Sequence, residues 1–389
     1  MKSNYINRLL LSKWTITIIL TIAGIVVGLQ LNLSGHHNNF IIFKYSYLHL
    51  VHWQNLYILY PKEHWDLYKY SPTFPLLMAP FNYIPTSLGL MIWSLMGSTS
   101  IYFAVTRLPY LSQFQKTIVF FIVLVEFITS MQNAQTNPLM VSFMVLAFIC
   151  FEQKRVFWAA FFIIAATFIK VFGLAAAILF ILYPQKGHFI LSMLFWGLIF
   201  VIAPLIVIPL DQLVIQYQNW FHQLMEVHVG KDLGQPEMSA MGWIKSWFNV
   251  NIPAFYIQVT GLIILLLPFI KFDSYQSISF RYLVLSSILI FCVIMNHNAE
   301  SPSYVIAVFG VAIWFTLAPK NALVWFLFGL AVLFTILSQT DIFPRYIRVH
   351  YALPYVFKAV PCILIWIHIH YLLLFHKNIE FAELNQLSS

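Results

Sequence analysis

Glu63 and Asp66 stand three residues apart in PKEHWD, a spacing that puts both carboxylates on one side of a helical turn with His64 beside them. Trp65 and Tyr68 would partly dehydrate an acid held at a membrane surface, raising its pKa toward that of a general base for a hydroxyl group. The plainer reading is a solvated loop whose acids pair with Lys62 and Lys69. Asp66, nearer the following apolar run, is the preferred base, with Glu63 and Glu300 as alternatives.

Lys170 interrupts FFIIAATFIKVFGLAAAILF. A lysine at an apolar helix break is costly unless it snorkels to the interface or meets an anion; a lipid phosphate would serve, helped by N–H groups at the adjoining helix ends. Gln132, Asn133, Gln135 and Asn137 form an amide cluster suited to sugar hydroxyls, or to capping two helix ends. In NHNAESP, His297 could bond a phosphate and Glu300 take a proton, or the segment could be an ordinary turn closed by Ser301–Pro302. Arg345 and Arg348 are placed either to guide an anionic head group or to anchor an interface. Glu126, inside FFIVLVEFITS, is expected to pair with Lys170 or an amide of QNAQTN, or to stay protonated. His36–His37, His49, His52, His64, His368 and His370 read as scattered or interfacial, so no metal site is expected. Cys150, Cys292 and Cys362 read as small buried hydrophobes.

The elements that must position these groups are membrane helices. The chain has 389 residues, 61% hydrophobic and only 9% charged, with a mean hydropathy of +0.81, which excludes an ordinary soluble domain. Its apolar runs do not alternate as β-barrel strands would. The reading is all-α: one polytopic transmembrane bundle over 1–389, with about twelve helices near 14–31, 84–106, 117–131, 138–151, 156–170, 172–183, 189–209, 253–270, 281–295, 303–318, 321–338 and 355–375. The shortest, around Asn137 and Lys170, read as half-spans meeting inside the protein. Run 14–31 lacks a cleavage site and is taken as a retained helix.

With both termini cytoplasmic, the brief connections holding Arg107, Lys116, Lys154, Arg155, Lys186, Lys271, Arg281 and Lys320 satisfy the positive-inside rule. The long segments 32–72 and 210–252 then face outward with Glu63, Asp66, Asp211, Glu226, Asp232, Glu237, Glu300 and Asp341. The net charge of +8 is spread along the chain without the arginine clusters of a nucleic-acid surface.

The order NLYILYPKEHWDLYKYSPTFPLLMAPF, QNAQTNP, ATFIKVFG and NHNAESP resembles that of glycosyltransferase family 87, also described as DUF2029, among the polyprenol-phosphate-dependent membrane enzymes of the GT-C class. The resemblance spans roughly residues 35–310. It implies a GT-C-like bundle in a bacterial inner (plasma) membrane that moves a hexose, typically mannose, from a polyprenyl-phosphate donor to a lipid-linked or glycan acceptor. The reaction would occur on the non-cytoplasmic side, with membrane lipids as partners and no cofactor or metal. Lys170, His297, Arg345 and Arg348 would then meet the lipid phosphate. Asn39, His64, Lys69 and the four amides would line the substrate. Many family members carry an acid near the start of the first external loop, where this chain has Asn38–Asn39, so the base role falls to Asp66, Glu63 or Glu300. The competing expectations are a transporter or flippase of lipid-linked sugars and a catalytically inactive scaffold.

Overall fold

The computed structural model describes residues 12–226 and 237–376. Lys2, Arg8, Asp232, the tail 377–389 and the middle of the 210–252 segment lie outside the described residues, as does the side chain of Glu226. Among the described residues every long element is helical, as expected. Sequence signals fix many ends. Ser12 caps helix α1 (Lys13–Ser34), which stops at Gly35 in the left-handed conformation, φ 69°. α2 covers Asn38–Val51 and α3 Thr86–Thr106. α4 (Gln113–Gln132) opens with a reciprocal capping box between Ser112 and Gln115, and α5 (Asn137–Glu152) with a proline in its first turn.

The expectation of about twelve membrane-spanning helices is not met. Among the described residues four helices are long and apolar enough to cross a membrane: α1, α3, α4 and Lys186–Ile206. The remaining apolar runs form shorter helices. The 16 residues of α5 reach about 24 Å, short of the ~30 Å hydrocarbon layer. Tight turns and prolines consume residues that hydropathy alone assigns to spans. The protein is a multi-span membrane protein with several short apolar helices between and beside the long ones.

Successive helices run between two ends of the bundle. At one end Arg281 makes a two-pronged pair with Glu152, Nε to Oε1 at 2.6 Å and Nη2 to Oε2 at 2.9 Å, while Tyr183 donates to the same carboxylate at 2.5 Å. Lys116 closes the nearby α3–α4 turn onto the Thr106 carbonyl at 3.0 Å. The other end gathers the segment after α2, the amide turn, Lys170 and the NHNAESP turn. Between the ends, α1 packs on α3, α5 on α6 (Val156–Ile169), and helix Ile278–Ile294 on Tyr304–Leu317. Trp93, Trp314, Tyr282, Tyr304 and Phe148 are fully buried among them.

An amphipathic helix roofs the second end. Gln216, on helix Leu210–Glu226, donates to the Gln54 carbonyl at 2.7 Å and accepts from Leu56 N–H at 3.2 Å. Two turns further along the same face, Gln223 donates to the Tyr68 carbonyl at 2.7 Å. The two segments expected to share a face, 32–72 and 210–252, therefore pack directly on each other.

Candidate active site

α6 stops because Lys170 adopts an extended conformation, φ −143° and ψ 128°, and the chain returns as a 3-10 helix, Val171–Leu182. The two form a hairpin with Lys170 at its tip, outside the four long spans. The turn is tight: Gly173 N–H donates to the Lys170 carbonyl at 2.9 Å, and a Cβ on Gly173 would lie 2.6 Å from the Ala166 carbonyl carbon. Only glycine fits that approach.

Lys170 Nζ donates to Asn137 Oδ1 at 2.7 Å and reaches Gln135 Oε1 at 3.5 Å. Asn137 is fully buried, and its Nδ2 donates to the Pro302 carbonyl at 3.0 Å. One amide thus aims the lysine and ties it to the turn that carries Glu300. Burial pushes the Lys170 ammonium down to about 8, Glu300 draws it back up and Lys69 lowers it further. That balance places a carboxylate and a second cation within electrostatic reach of the same nitrogen.

The segment after α2 supplies the other side. Asp66 Oδ2 accepts from Lys69 Nζ at 2.8 Å, and its Oδ1 from Leu67 N–H at 2.7 Å. The backbone below is pinned: Ser71 Oγ donates to the Phe168 carbonyl at 2.6 Å, joining this segment to the turn of helix just before Lys170. Tyr70 is buried against Phe74 and Phe43, and Thr136 donates to its hydroxyl at 3.3 Å. Burial raises the Tyr70 phenol, the Thr136 bond opposes this, and Glu300 and Asp66 reinforce it. Asp66, Lys69, Tyr70, Lys170 and Glu300 therefore share one polar end of the fold.

The amide turn serves mostly as framework. Ala134 takes a left-handed φ of 49°, a conformation costing about 1 kcal/mol or more away from glycine, and Trp93 Nε1 holds its carbonyl at 3.1 Å. Asn133 bonds back to the Thr129 carbonyl at 2.8 Å, Asn39 Nδ2 donates to the Asn133 carbonyl at 2.9 Å, and Gln132 turns away to Gln30 at 2.9 Å. Gln135 and Asn137 alone of the four face Lys170.

The remaining expected residues divide. Glu300 is exposed at the mouth. His297 is held between Asn298 at 2.8 Å and Gln258 at 3.4 Å. Arg345 is exposed, and Arg348 is bound within its own segment to the Thr340 carbonyl at 2.9 Å and Asp341 at 3.3 Å. Glu63 does not join Asp66: its carboxylate bonds His49 Nε2 at 2.8 Å, and His64 lies with that pair, so histidines read as scattered are brought together. Glu126 pairs with Lys358 at 2.8 Å rather than with Lys170, both side chains 1% exposed.

Three residues carry more than their sequence context announced. Lys358 also donates to Ser301 Oγ at 2.8 Å, bracing the Glu300 turn against α4; an unmatched lysine at the head of KAVPCILIWIH was the available signal. Asn38 Oδ1 accepts from Trp65 N–H at 3.1 Å, and Asn38 Nδ2 is buried with no hydrogen-bond partner. Tyr70 gave no signal, being one of 20 tyrosines.

Beside this end, Val201, Ile202, Leu213, Val214, Tyr217 and Phe221 line an open apolar groove of ≈ 430 Å³. Tyr217 lies 3.1 Å from the Thr73 hydroxyl, so the groove adjoins the segment that bears Asp66.

No curated protein matches the chain. The sequence model of glycosyltransferase family 87 matches residues 68–295, beginning two residues beyond Asp66, enclosing Lys69, the amide turn and Lys170, and ending before Glu300. Covering more than half of the 389 residues, that match establishes that the chain belongs to glycosyltransferase family 87, a GT-C-like family of membrane glycosyltransferases.

Proposed function

We propose that the chain transfers a hexose, with mannose the first to test, from a polyprenyl-phosphate donor to a lipid-linked or envelope-glycan acceptor on the non-cytoplasmic side of the membrane. The observation that carries this reading is Lys170: a lysine at the tip of an apolar hairpin, aimed by a buried amide, facing the loops that hold Asp66 and Glu300. The apolar groove beside Tyr217 would take the first isoprene units of the donor.

In an inverting transfer the acceptor oxygen attacks C1 of the sugar while the bond from C1 to the phosphate oxygen breaks. The bonding pair leaves with the phosphate, and the acceptor proton passes to a carboxylate. Lys170 meets the charge that develops on the leaving phosphate, the term that most lowers the barrier in such steps. Asp66 is the base. Asn38, near the place where the family resemblance anticipates an acid, bonds the backbone N–H of Trp65, so the neighbouring Asp66 brings a carboxylate to the same locality from the other side of the loop. Lys69 orients that carboxylate and Glu300 stands second.

The test is transfer of labelled sugar by purified protein in lipid nanodiscs supplied with polyprenyl-phosphate hexoses and an envelope acceptor extract. A labelled lipid or glycan product supports the reading. Absence of product with every donor, or labelled donor crossing a sealed bilayer instead, overturns it.

A further inference from the structure

Away from the Asp66–Lys170 group, the end of α2 and the loop after it bring together three side chains that bind metals. One ligand atom from each of His49, Glu63 and His64 lies within 4.8 Å of the other two. His49 Nε2 already bonds Glu63 Oε2 at 2.8 Å. Tyr60 stacks on the His49 ring at 3.9 Å between centroids and stands edge-on to His64 at 5.9 Å, walling the group on one side. His64 is 5% exposed, yet its Nδ1 is buried without a hydrogen-bond partner. A buried polar atom left so is unfavourable unless a ligand satisfies it.

The donor set selects the ligand. Two imidazoles and one carboxylate suit a borderline divalent cation such as zinc, whereas calcium and magnesium favour all-oxygen shells. An anion is disfavoured by Glu63. The Glu63 side chain keeps 30% of its surface exposed, which gives a cation a route in and a water a place in the fourth position.

We propose that His49, Glu63 and His64 form a zinc site of three protein ligands, clamping the C-terminal turn of α2 to the loop that leads to Asp66. Zinc–ligand distances of about 2.0–2.2 Å set tetrahedral ligand atoms ~3.4 Å apart, so side-chain rotations of about 1 Å close the cluster. The site stands independently of any sugar transfer, and its test needs none.

Full-length protein in nanodiscs, stripped with chelator, would be titrated with Zn²⁺ alone and the bound metal examined by X-ray absorption. The expected result is one zinc per chain in a mixed nitrogen–oxygen shell. H49Q and H64Q should each weaken binding at least 100-fold, E63Q about 10-fold or more, and the exposed neighbour variant H52Q should leave it unchanged. Since His49 and His64 are buried, E63Q, changed at an exposed group, keeps the test decisive if either histidine variant fails to fold. No stoichiometric zinc in the native chain, or undiminished zinc in monodisperse H64Q or E63Q protein, would overturn the proposal.

Discussion

Replacing Lys170 by methionine removes the charge while nearly keeping the volume, and two consequences can be separated. A charge-assisted hydrogen bond to a phosphate oxygen contributes about 1.5–3 kcal/mol, which converts to a fall of about 10- to 150-fold in kcat/KM. The variant also strips the donor from Asn137 Oδ1, bonded at 2.7 Å and fully buried, but it relieves the desolvation of a cation, so thermal stability should move little. Acidity gives a second handle. With Lys170 at about 8, the charged form prevails below that pH, and kcat/KM for the native enzyme should fall as pH rises through about 8. Unfolding would not account for that fall. A lysine depressed from 10.5 to about 8 binds fewer protons folded than unfolded between those values, so its contribution to stability rises with pH across the same window. Lys170→Arg should retain part of the activity and lose the limb near pH 8. Turnover of labelled donor in nanodiscs, measured from pH 6.5 to 9.5 at sub-saturating donor, reads both effects. K170M activity within threefold of native, or a native profile flat through pH 9, would refute the phosphate role.

D66N should lower kcat by about 100-fold or more with KM for donor little changed, the range expected for losing a general base, whereas E300Q should cost under tenfold; the reverse ranking in the same assay would move the base to Glu300. Gly173→Ala drives a methyl to within 2.6 Å of the Ala166 backbone and should displace the hairpin tip, reducing donor affinity more than tenfold in a filter-binding assay while leaving the bundle folded. Lys358→Met strands the buried Glu126 carboxylate, a loss of about 3–5 kcal/mol, and adding Glu126→Leu should restore most of the melting temperature; a double variant no more stable than K358M would show that the pair is not coupled.

The helical class was legible because composition and hydropathy report burial directly. Span count was not, since hydropathy registers an apolar run of 12 to 17 residues as readily as a full span; the break at Lys170 was legible, but not that Gly173 lets the two arms touch at the Ala166 backbone. Site residues were legible as types and not as partners. Glu63 and Asp66 share a helical spacing, but the loop between them is not a regular helix, so one carboxylate turns to His49 and the other to Lys69. Glu126 and Lys358 are far apart in the chain, and no local pattern could announce their contact.

The short helices that undo the twelve-span reading bear on how a lipid phosphate would reach Lys170. α3 has 21 residues, about 31 Å, while α6 has 14, about 21 Å. Both have ends at the Glu152–Arg281 side, where Arg107 and Arg155 sit, so the tip of the shorter arm falls short of the polar end of α3 by roughly 10 Å. On the proposed reading, a phosphate head group attached to a membrane-embedded chain would meet Lys170 there without being lifted clear of its own leaflet. The loop 52–73 and helix Leu210–Glu226 close over that recess through Gln216 and Gln223, and on the proposed reading Asp66 would meet the acceptor hydroxyl from the side opposite the lipid. A lysine in a full-length straight span would face hydrocarbon and have no such anion to meet; the break that shortens the helix is what makes the charge usable.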